Sequence, residues 1–136
     1  KQLVESKNVA EKYQKELKEL DKEKYTKEIK ASTDIAKKIE EMIAIYLGKE
    51  DKRQGITRNP EITVMQRIGD ASYYVGTRKT GVTTTEKNLI QFAEEELKQA
   101  LDKTNTFFDS DWKTYRLAIE NLDNSPFKEI KTIKIN

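Results

Sequence analysis

One stretch restricts this chain more than any other. From Thr83 to Leu122, apolar residues recur at Leu89, Phe92/Ala93, Leu97, Ala100/Leu101, Phe107/Phe108, Trp112, Tyr115, Ile119 and Leu122, and neither Pro nor Gly interrupts them. Steps of three and four are the period of an amphipathic helix. The stretch opens on Thr83-Thr84-Thr85-Glu86, a capping box in which the first hydroxyl and the last carboxylate satisfy each other's backbone N–H groups. At 1.5 Å per residue such a helix is about 60 Å long, longer than its expected neighbours. Its Phe107–Leu122 half is therefore expected to extend past them. A chain built on it is all-α.

The rest of the chain supplies helices to cover that spine. Lys1–Leu20 places Leu3, Ala10, Tyr13, Leu17 and Leu20 on one face, a heptad-like seam. Ile35, Ile39, Met42/Ile43 and Tyr46 form a second seam within Glu23–Leu47. The two are out of phase across Asp21-Lys22-Glu23-Lys24, which calls for a tight turn or for a stutter in one long helix; the turn is favoured. Lys7–Glu11, Lys12–Glu16 and similar i,i+4 pairs stabilise the solvated face. Gly48 follows Leu47 as a helix stop. Asn59-Pro60-Glu61 is a cap followed by Pro at the first helical position, so a helix is expected over Pro60–Val75, with Ile62, Met65, Ile68 (with Val64) and Ser72/Val75 inward. Gly69 in its middle suggests close approach to a neighbour. After Pro126 the tail (residues 125–136) alternates in part and is expected to be extended. The expected fold is one domain over residues 1–136, an up-down bundle of four helices, or three if the first two are continuous, with an extended C-terminal tail.

Composition narrows the chemistry. Lys and Arg number 26 against 24 Asp and Glu, leaving +2, which gives no field for nucleic acid. Charged residues make up 37% of the chain and no apolar run approaches the roughly 20 residues of a membrane span. There is no Cys and no His, so thiolate sites and the commonest general base and metal ligand are excluded. Carboxylates alone can hydrolyse a glycosidic bond, but Glu94-Glu95-Glu96 and Glu50-Asp51 sit among polar neighbours that would not tune an acid–base pair. Gly76–Gly81 has phosphate-loop spacing, yet Val82-Thr83 replaces the required Lys-Ser/Thr. No calcium-loop order is present. No catalytic, cofactor or metal residue is assigned, and no cofactor is expected.

An interaction surface is the remaining possibility. Tyr73 and Tyr74 are adjacent on a helix, so at least one points outward. Arg53, Arg58, Arg67 and Arg78 cluster in sequence, to pair with Glu50, Asp51 and Asp70 or to dock an acidic surface. Phe108, Trp112 and Phe127 lie in the half of the spine, and the tail beyond it, expected to project. These residues, Arg53, Arg58, Tyr73, Tyr74, Phe108, Trp112 and Phe127, form the candidate surface.

Four stretches carry a family resemblance: Tyr46-Leu47-Gly48-Lys49-Glu50-Asp51-Lys52-Arg53-Gln54-Gly55-Ile56-Thr57, Val64-Met65-Gln66-Arg67, Thr104-Asn105-Thr106-Phe107-Phe108 with Trp112 and Tyr115, and Ser125-Pro126-Phe127-Lys128. They resemble the C-terminal segment of large bacterial secreted proteins with sortilin-like, or sialidase-like (BNR-type), β-propeller repeats, often labelled glycosyl hydrolases. The resemblance covers Ser32 to Asn136. It implies a C-terminal fragment of an extracellular or periplasmic protein, a propeller domain upstream as partner, and a non-catalytic role in docking or stabilisation. No catalytic residue carries over, so activity of the parent protein is left open. Two alternatives remain: a self-associating coiled-coil-like module (a weak homo-oligomer through the Leu3–Leu20 seam), and a ligand-sensing bundle with Tyr73, Tyr74 and the Arg cluster around a pocket.

Overall fold

The computed structural model describes residues 1–49, 62–77 and 81–122. Among these, every regular element is helical: α1 (Gln2–Asp21), α2 (Thr26–Leu47), α3 (Val64–Gly76), α4 (Thr84–Phe107), a π turn (Phe108–Trp112) and α5 (Lys113–Glu120). The α4–π–α5 run is the spine, and the fold is an all-α bundle of four helical arms. No helix of the described residues is long and apolar enough to cross a membrane.

α1 and α2 form an antiparallel hairpin. The chain reverses at the expected place because Asp21 Oδ1 accepts from the backbone of Glu23 (3.1 Å) and Lys24 (2.9 Å). That carboxylate takes up N–H groups which a continuing helix would have bonded internally. Tyr25 then caps α2 with its ring buried. The heptad seam of α1 lies against α2: Leu3, Ala10 and Leu17 are buried, the last two completely. Lys7 Nζ reaches Glu40 at 2.6 Å, and Gln14 hydrogen-bonds Thr33. The Glu40 hydrogen bond raises the Lys7 pKa, with burial opposing it.

The C-terminal half of the spine closes this hairpin into a core. Phe107, Tyr115 and Ile119 join Leu3, Ala10, Leu17, Ile35 and Ile39, with Phe108, Trp112, Met42 and Tyr46 packed around them. Two phenols fasten it. Ser32 Oγ donates to Glu28 O, so Tyr115 must donate to Ser32 (2.9 Å). In the same way Thr104 donates to Ala100 O and receives Tyr46 (2.9 Å). Each hydroxyl has one proton, which the carbonyl takes, and the lone pair is left for the Tyr.

The π turn keeps this half in phase. Phe107 and Tyr115 are eight residues apart and both buried. A straight α-helix would leave them about 80° out of line. One wider turn absorbs the extra residue, and Thr106, Ser110 and Thr114 line its exposed side with hydroxyls bonded to carbonyls four residues back.

Several expectations need correction. α3 begins at Val64, a turn later than Pro60: Thr63 is extended and caps it by accepting from Gln66 N at 3.2 Å. Asn59 and Pro60 lie outside the described residues. The inner line of α3 is Val64, Ile68 and Ala71, while Ile62 and Met65 are more than half exposed. Gly69 has no neighbour within the chain, since an added Cβ would meet nothing within 4 Å. The spine projects at the opposite end from that expected: its Phe107–Ile119 half carries the bulky aromatic surface and is the core, whereas Thr84–Leu97 extends beyond the α1–α2 hairpin. The expected tail (residues 125–136) lies outside the described residues. Gly48 does adopt φ +83°, and the Thr83–Glu86 capping box forms, with Glu86 Oε2 2.7 Å from Thr83 N.

Candidate docking surface

Beyond the α1–α2 hairpin, α3 and the first half of α4 form a two-helix arm. Its interface is made of small residues: Val64 and Ala71 meet Ala93 and Ala100, all buried. Alanines let two backbones approach closely but bury little area, and they leave the longer side chains on either side to stand out. The two flanks of the arm differ as a result.

One flank is polar. Arg67 Nε lies 2.6 Å from Glu96 Oε2, an ion pair without an aligned hydrogen bond. The C-terminal end of α2 approaches on this side, where Ala44, Ile45 and Gly48 share a hollow with Thr63, Gln99 and Lys103. The other flank is an open apolar groove of about 340 Å³. From α3 it is lined by Ile68, Ala71, Ser72 and Val75; from α4 by Ile90, Ala93 and Leu97, with Glu94 as the one charged residue. Leu101 continues the line one turn beyond Leu97 and is 46% exposed.

A further hollow, about 550 Å³, lies between α2 and the spine near Met42, Ile45 and Phe107. Charged side chains border it, and Lys38 Nζ bridges it to Asp111 Oδ2 at 2.7 Å. Neither hollow gathers acid–base chemistry. Among the described residues no group of three or more acidic side chains is placed to hold a metal ion. Tyr115 is the one strongly buried phenol with a resolved shift: burial pushes it up, opposed in part by Ser32, which makes it harder to ionise and unsuited to act as a base.

The expected surface is divided by the structure. Tyr73 and Tyr74 are exposed, edge to face with ring centres 5.8 Å apart, and line none of the three hollows described above. Phe108 and Trp112 are half-buried against the core; Phe108 stacks edge-on to Trp112 (6.3 Å), which leans on Tyr115 (5.5 Å). They belong to packing rather than to a free surface. Arg53, Arg58 and Phe127 lie outside the described residues, and Arg67 pairs with Glu96 rather than with Asp70. The Leu3–Leu20 seam is likewise occupied by α2 of the same chain.

Sequence reading missed the groove because Ile68, Val75, Ala93 and Leu97 were counted as core, while Ala71 and Ile90 were left off both stripes. The available signal was the run of alanines at Ala93 and Ala100, a seam too thin to cover Ile90, Leu97 and Leu101 as well. Comparison with family models, characterised proteins and solved structures finds no match.

Proposed function

We propose that this chain is a non-catalytic helical docking module whose working surface is the apolar flank of the α3–α4 arm. The observation that carries this is the contrast within one spine. Its aromatic half packs on α1 and α2, while half-buried Ile68, Ile90 and Leu97 and exposed Val75 and Leu101 stand together on an arm that nothing described covers. Contiguous, partly exposed apolar surface of this kind marks interaction sites. The sequence resemblance supports a setting: a C-terminal module beside a β-propeller in a secreted bacterial protein, serving docking or stability.

The test is a melt of Leu101→Glu at a concentration where the chain is monomeric. A docking residue contributes nothing to the isolated fold, so the midpoint should stay within about 2 °C of wild type. If instead Leu101→Glu destabilises the monomer by about 2 kcal/mol or more, the flank is covered within the chain and the docking reading fails. Turnover of a glycoside or peptide substrate by the purified chain would overturn the non-catalytic part.

A further inference from the structure

We draw no further inference here: the strongest candidate, the apolar flank of the α3–α4 arm lined by Ile68, Val75, Ile90 and Leu97, carries nothing beyond the docking reading, because nothing in the structure shows what covers it.

Discussion

At the scale of single residues, the informative position is Ser32. It is a fully buried hydroxyl in an apolar core, tolerated because Glu28 O takes its proton and Tyr115 donates to its oxygen. Tyr115→Phe removes one donor and leaves Ser32 bonded to its carbonyl, so it should cost about 1 kcal/mol at neutral pH. The pH dependence has a definite sign. Burial raises the Tyr115 pKa in the folded chain above its ordinary value of 10.0. Below that value both states keep the proton and the contribution is whole. Above it the unfolded chain loses its proton first, so stability falls as pH rises toward the folded pKa. Tyr115→Phe lacks this slope, and its deficit should narrow as pH rises above 10.0 in urea titrations. A deficit independent of pH would contradict the assignment. The Thr83–Glu86 capping box was legible in sequence because all its partners lie within one turn. Ser32 was not, because its partner is 83 residues away.

At the scale of elements, the π turn shows how far periodicity can be read. The stripe through Phe107/Phe108, Trp112 and Tyr115 identified a helix, but the helix cannot be regular and bury both Phe107 and Tyr115. If the turn is one inserted residue, deleting it should restore a plain α-helix. Deletion of Asp109, exposed and at the start of the turn, brings Phe107 and Tyr115 to a seven-residue step, within about 20° of alignment. It should cost less than about 1 kcal/mol. Deletion of Gln99, within regular α4, rotates the two halves of the spine by about 100° and should unfold one of them. Denaturant titration of the two variants separates the cases, and equal losses would reject the phase argument. The start of α3 was misread for a related reason: Asn59-Pro60-Glu61 has the composition of a cap, but Thr63 supplies the hydrogen bond to Gln66. Local composition permits several starts, and packing against α2 and α4 selects one.

At the scale of the molecule, the spine has two kinds of partner, and this sets where the chain is firm. Around Phe107, Tyr115 and Ile119 the interface is aromatic and large-aliphatic, with three helices contributing. Around Ala93 and Ala100 it is two helices joined through small side chains and one ion pair. Burying a Phe or Leu contributes about 1.5–3 kcal/mol each, several times what a buried Ala can. Sequence periodicity could place every one of these residues on a stripe, yet it weighted Ala93 and Phe107 alike. The projecting end was therefore assigned by length alone, and wrongly. Energy per residue decides it, since α1 and α2 settle on the half that offers most area. The arm should then open without the rest. In native-state hydrogen exchange, amides of α3 and of Thr84–Leu97 should exchange through a partial opening, while those of α1, α2 and Phe107–Ile119 wait for global unfolding. One uniform opening energy across the spine would mean that the arm is no weaker than the core, and the open flank would lose its physical basis.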